Sequence, residues 1–395
     1  LAAGSAAPAL ATELFDTCAQ SAASAYEPGF ADIGTSDVDM NVVANVDYQP
    51  VESCEAALAE DPSSTQIKAW LGNAYVVDGS ISKGIPLLEA AAADNNVLAL
   101  RTLGDLTIIG KGVPRDEAHG VALLTAAADA GFALAALSLA YSYEFGDGVE
   151  ADPAAAFKWY MAAAKAGVPR AELAVAARYR AGNGVAQSDA DAFRWIKAAA
   201  DKGDGEGQYQ LGVAYLEGLS VKPSKPKALQ AFKSAAEQNN QDGTDALGYM
   251  TELGIGLKAD VAAAAQLYQQ AQMNMPQATY NYARLEESGS GVDQNAAEAR
   301  TNYLAAANGG EMRAAVNLAL MELSGTGGPI DVADAVRLTA LAADAGNAVA
   351  ENNLGRLYEL GLGVTADPDR ARELYGKAAA QGYAVAKANL ARLGG

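Results

Sequence analysis

The chain holds 395 residues, half of them hydrophobic, with 48 acidic against 28 basic side chains. The resulting charge of −20 excludes recognition of nucleic acid or anionic lipid through a general basic field. The length suits two or three ordinary domains or one elongated array, so it leaves the architecture open. An acidic surface keeps the chain in solution and favours basic partners.

The opening LAAGSAAPALA is small and apolar and ends in Ala9-Leu10-Ala11, an A-x-A pattern. Residues 1–11 read as the remnant of a secretory signal peptide, a flexible Ala-rich leader being the alternative. Nothing later reaches about 18 uninterrupted apolar residues, so no membrane span is predicted. Residues 12–66 form an N-terminal capping region that holds both cysteines, Cys18 and Cys54. In an exported chain two thiols read as one disulfide. Two buried free thiols are the alternative, and neither cysteine has the companion ligands that zinc needs. A bridge would close a 37-residue loop and contribute about 3–4 kcal/mol in the chain-entropy model. Asp37-x-Asp39-x-Asn41 begins like a calcium loop. Val42 replaces its sixth-position glycine and Tyr48 its twelfth-position glutamate, so it reads as a solvated acidic loop.

From residue 67 onward one pattern recurs. Gly110-x-Gly112-Val113 returns at Gly146, Gly182, Gly254, Gly289 and Gly361, with weaker versions at Gly218-x-Ser220 and Gly325-x-Gly327. The step is 36 residues, with one of 35 between Gly254 and Gly289. Seven residues earlier lies an apolar–small pair, as in Leu103-Gly104, Leu211-Gly212 and Leu354-Gly355; the small residue lets two helices approach closely. Six residues after each first glycine comes Asp116, Asp152, Ser188, Ser224, Asp260, Asn295, Asp331 or Asp367. Each can cap the first free N–H groups of a helix, and Pro153 or Pro368 then fills the first helical position. Each copy closes on an Ala-rich turn such as Ala163-Ala164-Lys165-Ala166-Gly167.

Gly146-x-Gly148 could suggest a phosphate loop, but a dinucleotide fingerprint needs a preceding strand and a third glycine. Here the glycines end one helix and the cap starts the next. Each copy is thus a helix pair. Helix A carries L-G-x-x-Y (Leu211, Gly212, Tyr215), and helix B carries Trp159, Tyr160, Trp195, Phe232, Tyr268 and Tyr375. The fixed column of these aromatics predicts packing between helices rather than a ligand-stacking surface. No single pair buries its apolar face alone, so the pairs must stack. The chain reads as all-α, a right-handed α-solenoid of stacked antiparallel helix pairs. A shortened leading copy covers 67–96, eight full copies cover 97–383, and 384–395 forms a C-terminal capping helix.

The run L-G-x-x-Y-x-x-G-x-G-V, a capped helix and A-A-x-x-G resembles the Sel-one-like repeat family, a relative of tetratricopeptide repeats. The N-terminal region, with Cys18, Cys54 and YQPVESCEAALAEDPSS, resembles the disulfide-bearing leader of exported bacterial members. The resemblance implies a periplasmic or secreted protein of the Gram-negative envelope. It also implies binding rather than catalysis: a scaffold for polysaccharide export, a restraint on a membrane sensor kinase, or a subunit of an envelope complex.

Copies across 241–347 depart most from the pattern. The helix-A tyrosine (Tyr75, Tyr143, Tyr179, Tyr215, Tyr358) becomes Thr251, Glu286 and Glu322, and A-A-x-x-G becomes Ala271-Gln272-Met273-Asn274-Met275. Drift accounts for this, or a binding surface does. In such repeats the A helices line the concave face. The candidate partner contacts there are Tyr249, Asn281, Arg284, Asn317, Asn353 and Arg356.

Candidates for chemistry are few. His119 is the single histidine and reads as a solvated helix residue, without a nucleophile motif beside it. Ser80-x-x-Lys83 and Ser224-x-x-Lys227 match the S-x-x-K of penicillin-binding enzymes, but S-D-N and K-T-G are missing. Glu286 and Glu287 diverge by about 100° on a helix and form no dyad. Cysteine-rich secreted relatives linked to β-lactam binding carry a cysteine pair in each repeat, and this chain has none there. The sequence therefore predicts a non-enzymatic scaffold without metal or cofactor that binds protein partners. Glycan binding through Tyr249, Asn281 and Asn317 is the alternative, and β-lactam hydrolysis a more distant one.

Overall fold

The computed structural model describes residues 7–30, 50–272 and 275–394. The calcium-like stretch 37–41, residues 1–6 of the signal remnant, Met273 and Asn274 lie outside the described residues. All 21 regular elements among the described residues are helices. They form two compact units, one ending at Lys202 and one starting at Gly203.

The first unit opens with α1 (Ala7–Ala22) and α2 (Pro50–Glu60). Both pack on α3 (Thr65–Val77), which pairs with α4 (Ile81–Ala93). Cys18 and Cys54 are joined by a disulfide that ties α1 to α2. Trp70 on α3 is fully buried between Phe15 and Phe30, and its indole N–H donates to Glu27 at 3.1 Å. Burial holds the Glu27 carboxyl above its ordinary range. The pairs α5 (Val97–Ile109) with α6 (Glu117–Asp129), α7 (Ala133–Phe145) with α8 (Pro153–Lys165), and α9 (Pro169–Ala181) with α10 (Asp189–Asp201) complete this unit.

The second unit continues in the same way. It holds α11 (Gly205–Glu217), α12 (Lys225–Glu237), α13 (Gln241–Leu253), α14 (Val261–Ala271), α15 (Pro276–Ser288) and α16 (Ala296–Asn308). It ends with α17 (Met312–Ser324), α18 (Val332–Asp344), α19 (Ala348–Leu360), α20 (Pro368–Ala380) and the unpaired α21 (Ala384–Arg392). From α3 on, odd-numbered helices are A helices and even-numbered ones are B helices.

The punctuation is where the repeat places it. Each first glycine, from Gly110 to Gly361, ends an A helix with φ between +66° and +79°, a region that only glycine enters without penalty. Ser220 keeps the left-handed geometry of the second glycine at φ +53°. Asp116, Asp152, Ser188, Asp260, Asn295, Asp331 and Asp367 each accept a backbone N–H at the start of a B helix. Ser224 differs: it occupies the cap position of α12, yet its hydroxyl accepts no capping bond. Several A helices are capped as well, by Asn96, Asp204, Asn240 and Asn347, which the sequence pattern had not singled out.

Packing within a pair follows from the small residue of helix A. A methyl group at Gly212 would collide with the Phe232 ring, and one at Gly248 would come within 2.8 Å of Tyr268. Large B-helix side chains are thus seated on the small residue: Leu124 on Gly104, Phe232 on Gly212, Tyr268 on Gly248 and Tyr375 on Gly355. In the same column Tyr160, Ile196 and Tyr303 are fully buried or nearly so. Trp159 and Trp195 lie one residue earlier and are only half-buried.

Candidate functional site

The buried tyrosines do more than fill space. Each reaches past the small residue and donates its phenolic hydrogen to a glutamate sixteen residues earlier, at the end of its own A helix. Tyr160 donates to Glu144, Tyr268 to Glu252 at 2.8 Å, Tyr303 to Glu287 at 2.7 Å and Tyr375 to Glu359 at 2.7 Å. An arginine from the next A helix closes three of these clasps: Arg178 on Glu144, Arg284 on Glu252 and Arg392 on Glu359. Arg178 also lies 3.8 Å above the Tyr160 ring, a cation–π contact. Burial, and then the glutamate bond, pushes the phenols of Tyr160, Tyr268, Tyr303 and Tyr375 upward. Glu359 is held down to about 2 by Arg392 and Tyr375.

The repeat of α17 and α18 breaks this arrangement at both ends. Thr339 stands in the column of Tyr303 and Tyr375, and Leu323 in the column of Glu287 and Glu359. Thr339 turns its hydroxyl back to the Ala335 carbonyl at 2.7 Å. The missing ring leaves an open cavity of about 260 Å³. Val316, Ala319, Leu320 and Leu323 of α17 line it, with Thr339 below and Asn353, Arg356, Leu357 and Leu360 of α19 opposite. Arg356 occupies the column of Arg284 and Arg392. With leucine in the acid slot, its exposed guanidinium has no ion-pair partner among the described residues.

The six residues expected at a partner surface separate into two groups. Asn353 and Arg356 meet at this cavity, and Tyr249 is 52% exposed on α13. The other three carry intramolecular bonds. Asn281 is buried and donates to Asp245 at 2.9 Å, and Asn317 donates to the Tyr303 hydroxyl at 3.0 Å. One nitrogen of Arg284 reaches both oxygens of Glu252 at 2.7 Å. These three side chains join one repeat to the next. Sequence reasoning missed Thr339 and Leu323, although their columns were available as the signal.

The degenerate tyrosine column is also internal. Glu286 accepts from Asn302 at 2.7 Å, and Glu322 from Arg300 at 3.2 Å. Burial first, and then the acids Glu298 and Asp334 respectively, raises both carboxyls. Arg300 donates in addition to the Pro329 carbonyl at 3.0 Å, which holds the loop after α17.

Elsewhere, His119 is exposed on α6 at the edge of a cavity of about 520 Å³ lined mainly by aliphatic residues, without serine or cysteine. Ser80 donates to Asp78 at 2.9 Å, while the Lys83 ammonium lies over the Tyr75 ring and that of Lys227 over Tyr215. These lysines therefore serve the helix-A tyrosines. Among the described residues no helix is long and apolar enough to cross a membrane, and no three His, Cys, Asp or Glu side chains are placed to hold a metal.

Comparison with known proteins fits this arrangement. The family model described as Sel1 repeat matches eight successive stretches between residues 98 and 383, namely 98–132, 133–168, 169–204, 205–240, 245–271, 276–311, 313–347 and 348–383. Among solved structures, the chain is similar to a protective antigen of uropathogenic Escherichia coli strains that displays an SLR fold. That match has a TM-score of 0.71 and 25% identity, over 87% of this chain and 74% of the other. A Sel1 repeat protein of Oxalobacter formigenes matches with a TM-score of 0.60 and 29% identity, over 83% of this chain and 99% of its own. No curated protein matches the sequence. Proteins of this kind generally mediate protein–protein interaction. With eight matched repeats and a helix pair behind each, the chain belongs to the Sel1 repeat family.

Proposed function

We propose that the protein is a non-enzymatic scaffold or adaptor of the bacterial cell envelope that holds protein partners on its A helices. The observation that carries this reading is an exposed apolar column. The last residue of an A helix is Ile109, Phe145, Leu253 or Leu360 in four repeats, each more than half exposed at 59, 67, 52 and 53%. Two of these lie in each unit. Large apolar side chains recurring at one register on a soluble acidic surface mark an interaction face. Export is supported by the A-x-A leader, by the Cys18–Cys54 bridge and by the antigenic character of the Escherichia coli relative.

The test is cross-linking in intact cell envelopes followed by purification of the chain. Recovery of one dominant protein partner, lost when Phe145→Asp and Leu253→Asp are combined, supports the scaffold. Recovery of envelope polysaccharide without protein would replace it with the glycan-binding reading.

A further inference from the structure

We propose that the cavity between α17 and α19 is a docking pocket for a partner segment that carries an aromatic side chain beside a carboxylate. This rests on the reading of the chain as a protein-binding module and names the chemistry of one contact.

The argument comes from the three clasps. In each, an aromatic ring fills the space above the small helix-A residue, a carboxylate sits at its tip and an arginine of the next A helix closes on that carboxylate. At the seventh repeat the small residue remains as Ala319 and the arginine remains as Arg356, but ring and carboxylate are replaced by Thr339 and Leu323. What is missing is an aromatic group and a negative charge. The vacant volume of about 260 Å³ lies below the roughly 300–1,000 Å³ of small-molecule sites, and it suits one side chain. Leu320, Leu360 and Leu362 at its rim are each about half exposed. They continue the apolar surface past the cavity, as a polypeptide needs and a free amino acid does not.

The electrostatics agree locally. Glu359 on the same helix is bonded to Arg392 and Tyr375 and feels the Arg356 charge without a direct bond, so the Arg356 guanidinium keeps its donors for an incoming carboxylate. Asn353 lines the same cavity, and its amide nitrogen donates to no other described residue. Beyond a screening length of about 8 Å the overall negative charge does not oppose such a contact.

The probe is a fluorescein-labelled Gly/Ser peptide centred on Glu-Phe-Glu, read by anisotropy on the full chain, with Gln-Phe-Gln and Glu-Ala-Glu versions as controls. The expected result is binding of the first peptide, with at least tenfold weaker binding of both controls. Arg356→Gln should abolish the preference for Glu over Gln. Thr339→Phe, which fills the cavity from inside, should weaken binding at least tenfold without lowering the melting temperature. No binding of any peptide, or binding indifferent to Thr339→Phe, would overturn the proposal. Equal affinity for N-acetylphenylalanine would overturn the peptide as occupant. If the envelope cross-linking recovers the same partner with wild type and Thr339→Phe, the scaffold reading stands and this pocket falls. If wild type recovers no protein, the scaffold reading falls with it.

Discussion

Tyr303 donates its phenolic hydrogen to Glu287 at 2.7 Å and accepts one from Asn317 at 3.0 Å on the next A helix. One hydroxyl thus joins α16 to α15 within a repeat and to α17 of the following repeat. Its removal leaves a carboxylate short of a donor, and hydrogen bonds to charged groups contribute about 1.5–3 kcal/mol. Tyr303→Phe should cost that much, whereas Tyr303→Ala should cost about 3–5 kcal/mol because a cavity is added. Long repeat arrays lose all-or-none unfolding, so hydrogen exchange of α15 to α17 is the suitable measurement. Protection unchanged in Tyr303→Phe would show that the clasp packs but does not stabilise.

The two glycines of one loop should differ sharply. Gly182 and Gly184 both have left-handed backbones, at φ +68° and +72°. A methyl group at Gly182 would find its nearest neighbour, Gln187, at an ordinary 3.5 Å, so Gly182→Ala carries only backbone strain, about 1–2 kcal/mol. At Gly184 the same methyl would overlap the Pro153 carbonyl at the start of α8. Main chain cannot move aside as a side chain can, and Gly184→Ala should lose about 3 kcal/mol or more. Hydrogen exchange of α8 to α10 in the two variants checks the order, and equal loss of protection would refute it.

Much of this architecture was legible because the repeat states local requirements many times over. Helix ends need glycine at Gly110 or Gly361, helix starts need Asp116 or Asp367, and close crossings need Gly104 or Gly212. Ser224 shows the limit: it holds the cap position without the capping bond, since residue type permits a bond but does not set the rotamer. The site was harder to read. The departures at Thr251, Glu286 and Glu322 marked their copies as a candidate surface, yet the structure buries these three side chains. Of the six candidate contacts, Asn281, Arg284 and Asn317 are bonded within the chain. The informative departure lay on a B helix, where Thr339 breaks a column of large residues. Bonded partners stand fourteen, sixteen or more than thirty residues apart, so the roles of Asn281, Arg284 and Asn317 emerge only when repeats are placed side by side.

Asp245 makes stability depend on pH. Burial, the largest cause, raises its carboxyl to about 6 despite the bond from Asn281. A folded-state value above the unfolded one means that the folded chain holds the proton more tightly. Its contribution is complete below about pH 4 and is lost as pH rises through about 6. Asp245→Asn keeps an acceptor for Asn281 and removes the half-buried charge. It should add about 1–3 kcal/mol at pH 7.5 and almost nothing at pH 3.5. Thermal melts at the two pH values decide this, and a variant less stable at pH 7.5 would show that the charge is stabilising.

Arg284 and Arg356 share one column but should respond differently to the same substitution. Arg284 grips both oxygens of Glu252, whose side chain is only 11% exposed, and so helps to hold the Tyr268 clasp. Its own side chain is 40% exposed, so solvent screening keeps the expected loss in Arg284→Ala to about 1 kcal/mol. Arg356 faces Leu323 where the acid would be and supports no such bond. Arg356→Ala should therefore stay within about 0.5 kcal/mol of wild type while losing the carboxylate preference of the peptide probe. Melting curves of the two single variants, measured beside the anisotropy assay, separate packing from recognition. A destabilised Arg356→Ala with unaltered peptide preference would return that arginine to the packing between repeats.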